Sequence, residues 1–141
     1  MRNREGFTLI ELMIVVVILS LLATISIPNF IKLQGRAKEA RVKGGAHTLQ
    51  LAAEDYAVRN GGIYSDLAAD VAPLLPLNKQ GNSNLENPFT GAFSEPIWAG
   101  AAAAPGQIGI MNQMDATNTP MGYIISGWGE EAMIVDLRNG N

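Results

Sequence analysis

The 141-residue sequence contains no cysteine and a single histidine, His47. The absence of cysteine excludes a disulfide framework, thiolate metal sites and thiol nucleophiles. One histidine excludes most clusters that depend on imidazole, and acids are poorly spaced for a metal around His47, so we expect it to be structural or on the surface. The chain also has no glycine-rich phosphate loop of the required spacing. These absences predict that the protein is not an enzyme.

Charged residues are scarce, at 16% against a typical ~25%, and they are unevenly distributed. The net charge is +1 over residues 1–6, −1 over residues 7–31, +4 over residues 32–43 and −7 over residues 44–141. We call the last three segments the apolar rod, the basic collar and the acidic body. A soluble domain rarely sorts its charges in this way. Because the basic cluster adjoins the rod and the body is acidic, no nucleic-acid partner is predicted.

The apolar rod has the length and composition of a membrane span. It contains no Lys or Arg, and Glu11 is its only acid. As a helix, its 25 residues would extend about 37 Å at ~1.5 Å each, more than the ~30 Å hydrocarbon core of a bilayer. The alternatives are a plain anchor and a secretion signal, although Ala23-Thr24-Ile25 is a poor cleavage site for the latter. Basic residues flank both ends of the rod, so the positive-inside rule leaves its orientation open.

Glu11 is the unusual residue of the rod. A carboxylate at the centre of a lipid-facing helix costs about 2.5–3.5 kcal/mol, so we expect it to be protonated, to reach the membrane surface or to be paired. The rod supplies no cation to pair with it. The open alternatives are a near-surface glutamate in water and a glutamate that meets a cation of another copy of the chain.

The residues around Glu11 resemble a known signature. Gly6-Phe7-Thr8-Leu9-Ile10-Glu11-Leu12-Met13 follows a short basic leader and precedes an unbroken apolar run, and it resembles the N-terminus of type IV pilins and type II secretion pseudopilins. The similarity covers residues 2–31, including Pro28, which these proteins often carry at this offset. Ser20 stands where many members have glycine, and its hydroxyl can bond back to the helix.

The resemblance implies how such a chain is processed and assembled. A prepilin peptidase would cut between Gly6 and Phe7, releasing residues 1–6 as a leader, and would methylate the new amine of Phe7. An inner-membrane assembly platform would then move the single-pass inner-membrane precursor into a homopolymer, either an extracellular pilus or a periplasmic pseudopilus. Glu11 would neutralise the Phe7 amine of a neighbouring copy. Two charges that are each costly in an apolar environment compensate when they meet, which favours this pairing on physical grounds.

The pattern of residues 32–60 predicts an amphipathic helix that continues the rod. Its apolar residues form one stripe with helical spacing: Val42, Ala46, Leu49, Ala53 and Tyr56. We expect one helix from about residue 7 to Asn60, bent near Pro28 and loosened at Gly44-Gly45. Asp55 and Arg59 should form an ion pair. The basic collar suits either lipid headgroups before assembly or the acidic body of a neighbouring copy afterwards.

Residues 61–141 predict a connecting region followed by a small sheet. A short helix is expected at 65–75 with Ser65 or Asp66 as its cap, and residues 100–106 are expected to be a flexible surface loop. Strands are expected at 107–111, 123–128 and 132–137, and a weaker one at 97–99. An antiparallel sheet of three or four strands, packed against the helix stripe, gives an α+β fold.

The resemblance also raises the question of calcium, because some pseudopilins order their C-terminal region with this ion. The candidate ligands in this chain are four acids: Asp115, Glu130, Glu131 and Asp136. They lack the fixed spacing of an EF-hand loop, so a solvated acidic surface is favoured over a calcium site. No other feature of the sequence calls for a cofactor.

Three functions follow from these features. The favoured hypothesis is a structural subunit of a type IV pilus-like filament that polymerises through its hydrophobic helix. The alternatives are a pseudopilin of a type II secretion system and, in a different class, a membrane-anchored binding module. The binding module explains the rod but neither the Gly6-Phe7 pair nor Glu11.

Overall fold

The computed structural model describes residues 6–77, 81 and 85–139. The chain forms two compact units, Met1–Arg36 and Ala37–Asn141, and we call the second unit the head. Helix α1 runs from Leu9 to Arg59 and contributes to both units. The long N-terminal helix predicted from the sequence is therefore confirmed, with ends within two residues of those expected.

Pro28 and the Gly44-Gly45 pair all lie inside α1, and the chain stays α-helical through each of them. Proline removes one backbone donor without necessarily ending a helix, since neighbouring turns keep their bonds. The bend expected near Pro28 stays a prediction. Near the end of α1, Arg59 Nη2 lies 2.7 Å from Asp55 Oδ2, which confirms the expected ion pair.

The described residues of the head form two short helical segments and two sheets. Helix α2 (Ala68–Val71) continues into a 3-10 turn (Ala72–Leu74). Strands β1 (Leu85–Glu86) and β2 (Phe93–Ser94) pair as an antiparallel hairpin that the sequence analysis did not predict. The second sheet has the order β3 (Ile97–Trp98), β4 (Ile108–Met114), β5 (Pro120–Trp128) and β6 (Met133–Asn139). A long helix with a small sheet confirms the α+β class.

One pairing in the larger sheet differs from the fully antiparallel arrangement that we expected. Strands β4, β5 and β6 are antiparallel, but β3 is parallel to β4, with Ile97 opposite Gly109. Parallel neighbours need a connection that returns the chain to the same end of the sheet. The segment from residue 99 to residue 107 supplies this connection.

That connecting segment is anchored to the sheet, so the prediction of a flexible surface loop at 100–106 was wrong. Ala102 is only 3% exposed, and its N–H donates to Ser126 Oγ at 2.7 Å. The N–H of Gly106 donates to the carbonyl of Trp128 at 2.9 Å. The segment can lie this close because Gly109 has no side chain: a Cβ there would stand 2.4 Å from the Gly100 carbonyl oxygen. The small residues of this segment therefore allow it to pack closely against the sheet.

The cap predicted for the short helix was also wrong. Leu67 occupies the N-cap position of α2, and no side chain caps it. Ser65 Oγ instead accepts the Leu67 N–H at 3.2 Å and donates to Asp70 Oδ2 at 2.6 Å. Asp66 accepts the backbone N–H of Asn112 at 2.9 Å, which fastens this segment to β4. Both polar residues are thus occupied by contacts that the local sequence does not reveal.

The core of the head lies between α1 and the larger sheet. Four members of the predicted stripe are buried, namely Val42, Ala46, Leu49 and Ala53, whereas Tyr56 is half-buried. They pack in one cluster with Ile110, Tyr123 and Ile125 of the sheet. Burying a full-sized apolar side chain stabilises a fold by about 1.5–3 kcal/mol, so this stripe is the main reason that the second half of α1 belongs to the head.

Candidate assembly site

The expected cleavage point lies just outside the helix. Gly6 and Phe7 are not helical, and Phe7 is 78% exposed. Because α1 begins at Leu9, the Gly6–Phe7 peptide bond stands free of helical hydrogen bonds. A peptidase can cleave an exposed peptide bond that lies outside a helix.

Thr8 and Glu11 close the start of α1 as a reciprocal cap. The Thr8 N–H and Thr8 Oγ1 both donate to Glu11 Oε2, at 2.9 Å and 2.6 Å, while the Glu11 N–H lies 3.3 Å from Thr8 Oγ1. This is the capping-box arrangement, in which a threonine before the first helical residue pairs with a glutamate three positions later. The Thr-x-x-Glu spacing was the sequence signal for it, and the sequence analysis overlooked it.

The cap leaves part of the Glu11 carboxylate free. Within the described residues, Oε2 carries both bonds from Thr8, no bond to Oε1 is found, and no cation lies within ion-pair distance of the carboxylate. One oxygen is therefore held by the chain itself and the other is open to a donor from outside. Glu11 thus lies at the start of the rod, and no residue of the described ranges supplies a positive partner for it.

The apolar rod exposes hydrophobic side chains all the way round its helix. Leu9 is 78% exposed, Leu21 64% and Ile25 69%, and none of residues 7–31 is buried. Within the described residues α1 is the one helix long and apolar enough to cross a membrane. A soluble protein rarely leaves so large an apolar surface uncovered, so the rod needs either lipid or other protein around it.

In the middle of the rod, two side-chain hydroxyls donate hydrogen bonds to backbone carbonyls of the helix. Ser20 Oγ donates to the Val16 carbonyl at 2.7 Å, and Thr24 Oγ1 donates to the Ser20 carbonyl at 2.9 Å. One turn later Pro28 has no N–H to offer the Thr24 carbonyl. Ser and Thr back-bonding of this kind satisfies polar groups within an apolar helix. The expectation that the Ser20 hydroxyl bonds back to the helix is therefore confirmed.

The four calcium candidates do not form a cluster. Asp115 accepts the N–H groups of Thr117 and Thr119, each at 2.8 Å, and the Thr119 bond is the largest influence that lowers the pKa of this carboxyl. Asp136 accepts two bonds from Arg138, which lower its pKa. Glu130 and Glu131 are exposed between β5 and β6. Among the described residues, no three His, Cys, Asp or Glu side chains come together as a metal site.

Glu54 organises a polar cluster that the sequence analysis missed. Its carboxylate accepts bonds from the hydroxyls of Tyr123 (2.8 Å) and Tyr64 (3.0 Å) and from the amide of Asn139 (2.8 Å). The amide of Gln50 donates to the Tyr123 hydroxyl at 2.9 Å. Burial, then the bond to Glu54, raises the pKa of Tyr123 to about 12. The cluster ties α1 to β5 and β6, so it supports the head and not the assembly surface.

Two cations of the basic collar have partners inside the head. Arg41 Nη1 lies 3.3 Å from Glu86 Oε1, and Lys38 Nζ lies 5.5 Å from the centre of the Phe89 ring. His47 is exposed, and its Nδ1 lies within hydrogen-bond distance of Gln50 Oε1, at 3.0 Å, which fits the expected surface role. Lys32 and Arg36 are exposed and form no ion pair with any described residue.

Comparisons with known proteins bear on this N-terminal arrangement. A family model described as the prokaryotic N-terminal methylation motif matches residues 1–27. The type IV major fimbrial protein FimA of Dichelobacter nodosus is 30% identical over 129 residues, which are 92% of this chain and 74% of that protein. The chain belongs to the type IV pilin family. Among its relatives, the type IV major pilin protein PilA of Myxococcus xanthus is 49% identical over 70 residues, half of this chain.

The family includes secretion proteins as well as pilins. The type II secretion system core protein G of Pseudomonas aeruginosa is 39% identical to this pilin-family chain over 59 residues, 42% of each protein. The match to the Myxococcus pilin spans only 31% of that protein's length. No solved structure matches the chain. The similarity to PilA covers 50% of this chain and the similarity to core protein G 42%, whereas the similarity to FimA covers 92%.

Proposed function

We propose that this chain is a structural subunit of a type IV pilus-like filament, held in the inner membrane as a single-pass precursor and polymerised after its leader is removed. The observation that carries the proposal is the uncovered apolar rod, which begins with an exposed Gly6–Phe7 bond and a half-satisfied Glu11 and ends in a separately packed head. Lipid covers such a rod before assembly, and neighbouring rods cover it afterwards. Both environments remove the same apolar area from water.

Cleavage of the Gly6–Phe7 bond by a prepilin peptidase supplies a positive charge at the start of the rod. It creates an amine at Phe7, which is N-methylated, and this cation suits the open Oε1 of Glu11 on a neighbouring copy. An ion pair inside an apolar spine is strongly destabilised when one member is removed, by about 3–5 kcal/mol, because the other charge stays buried without a partner. Pairing between copies thus adds direction to an otherwise non-directional apolar contact.

The second candidate is a pseudopilin of a type II secretion system, supported by the similarity to core protein G. Deleting the gene and scoring surface fibres and exported proteins separately tests the choice. Lost fibres with normal export support the pilus, whereas lost export with normal fibres overturns it in favour of the pseudopilus. Unchanged fibres and unchanged export would favour the membrane-anchored binding module.

A further inference from the structure

We propose that Lys32 and Arg36 bind the phosphate headgroups of anionic phospholipids where the rod leaves the membrane. The inference rests on the proposed membrane-inserted precursor. It adds which cations of the basic collar contact lipid and which lipid chemistry they recognise. The cations that follow, Lys38 and Arg41, are assigned to a different task.

The first step is position along the helix. With Phe7 at one membrane edge and ~1.5 Å per residue, Lys32 lies about 37 Å and Arg36 about 43 Å along the axis. The hydrocarbon core ends at about 30 Å, and the bilayer with one headgroup layer ends several Å beyond it. Side chains of a helix lean toward its N-terminus, and long basic side chains reach back to the interface. Both cations therefore reach the phosphate layer.

The second step is the local chemistry of this helix face. Asn29, Lys32, Leu33 and Arg36 recur at helical spacing, and all four are exposed. No acid occurs between Glu11 and Glu39 in the sequence. Two cations, an amide and an apolar side chain on one face match a lipid with an anionic headgroup and an acyl chain, since Arg and Lys both bind phosphate.

The third step is the contrast with the neighbouring cations. Lys38 lies over the Phe89 ring and Arg41 pairs with Glu86, so both have partners within the head. Lys32 and Arg36 have no ion-pair partner in the described part of the chain. The contacts thus separate Lys38 and Arg41, which hold the β1–β2 hairpin region, from Lys32 and Arg36. Lys43, the fifth cation of the collar, also forms no ion pair with a described residue, but it lies about 10 Å further along the helix than Arg36, outside the reach of the phosphate layer.

Lipid selectivity of the full chain tests the proposal. The chain is reconstituted in phosphatidylcholine vesicles, and spin-labelled phosphatidylglycerol and spin-labelled phosphatidylcholine are compared for association with the protein. Combining Lys32→Gln with Arg36→Gln should lower the preference for the anionic lipid by up to about fivefold per cation, the factor that corresponds to ~1 kcal/mol per basic residue at an anionic surface. Combining Lys38→Gln with Arg41→Gln removes the same charge and should leave the preference largely unchanged.

Two results would overturn the inference. These are an unchanged preference in the Lys32/Arg36 variant and an equal loss in the Lys38/Arg41 control. An unchanged preference together with lost filament assembly would assign the pair to contacts between copies. Flotation of the chain with the vesicles is scored separately. A chain that does not float contradicts the proposed membrane precursor, whereas a chain that floats without lipid preference contradicts this inference alone.

Discussion

At the residue scale, Glu11 combines an observed role with a proposed one. It caps α1 through Thr8, and its open oxygen suits the amine of a neighbouring copy. Glutamine can take the capping role of glutamate but carries no charge. The two roles are therefore separable by comparing Glu11→Gln with Glu11→Ala.

We predict that Glu11→Ala and Glu11→Gln both leave membrane insertion and leader cleavage intact and both reduce filament yield strongly. The physical reason is that either change leaves the Phe7 amine without a counter-charge in an apolar spine. Immunoblots of processed chain and of sheared filaments measure the two steps. Normal filament yield from Glu11→Gln would show that only capping matters and would contradict the ion pair.

The tyrosines of the head give a second prediction at this scale. Burial raises the pKa of Tyr123 to about 12, and the pKa values of Tyr64 and Tyr56 are also raised, chiefly by burial. An unfolded tyrosine ionises near pH ~10. The folded head should therefore keep its tyrosines neutral. Their contribution to the free energy of unfolding should be fully present below about pH 10 and should be lost as the pH rises toward 12.

Ultraviolet absorbance of tyrosinate against pH, compared in native and denaturant-unfolded chain, measures this displacement. The native curve should lie at higher pH than the unfolded curve. Coincident curves would contradict the burial of Tyr123 beside Glu54.

At the element scale, two adjacent glycines of α1 have different surroundings. A Cβ on Gly44 would meet open space, whereas a Cβ on Gly45 would stand 2.5 Å from Ile108 Cδ1. Glycine in a helix interior costs about 1 kcal/mol relative to alanine. The helix propensity of the two sites is equal, so the sheet beneath Gly45 makes the difference.

We predict that Gly44→Ala raises the free energy of unfolding by roughly 1 kcal/mol. The Gly45→Ala variant should have a lower free energy of unfolding than the Gly44→Ala variant, because Ile108 must move to make room for the methyl group. Thermal unfolding of the full chain in detergent, followed by near-ultraviolet circular dichroism, compares them. Equal stabilisation by both substitutions would contradict the packing of Ile108 on α1.

Elements with a strong local pattern could be predicted from the sequence. Helix α1 follows from its continuous apolar run and the Val42–Tyr56 stripe, and the three main strands follow from short apolar runs between turns. The weaker strand predicted at 97–99 is present as β3, but its parallel pairing could not be predicted, because two residues carry too little pattern and the partner strand is set by the anchored segment over Gly109. The Glu54 cluster was equally hidden, since its bonds join residues up to 85 positions apart.

At the scale of the whole molecule, we propose that the two units divide the work of the protein. The first unit contains the rod and the Gly6–Phe7 bond proposed for cleavage, and the head packs its own core. A substitution that weakens the head should therefore spare the steps that depend on the rod. Glu54 is suited to this test because its three hydrogen-bond donors all belong to the head.

We predict that Glu54→Gln destabilises the head by about 1–3 kcal/mol, because the hydroxyls of the buried Tyr64 and Tyr123 lose a charged acceptor. Membrane insertion and leader cleavage should stay at wild-type levels. Thermal unfolding reports the first effect, and alkaline extraction of membranes with an immunoblot for processed chain reports the second. Loss of insertion or of cleavage in this variant would contradict the division of work between the units.

Intact-mass spectrometry of chain recovered from sheared filaments tests the central claim most directly. We predict a polypeptide that begins at Phe7 and carries one methyl group on its α-amine, as expected for a rod that is cut, polymerised and paired through Glu11. A polymer or membrane-bound chain that still begins at Met1 would contradict the account, because the amine that Glu11 requires would never have formed.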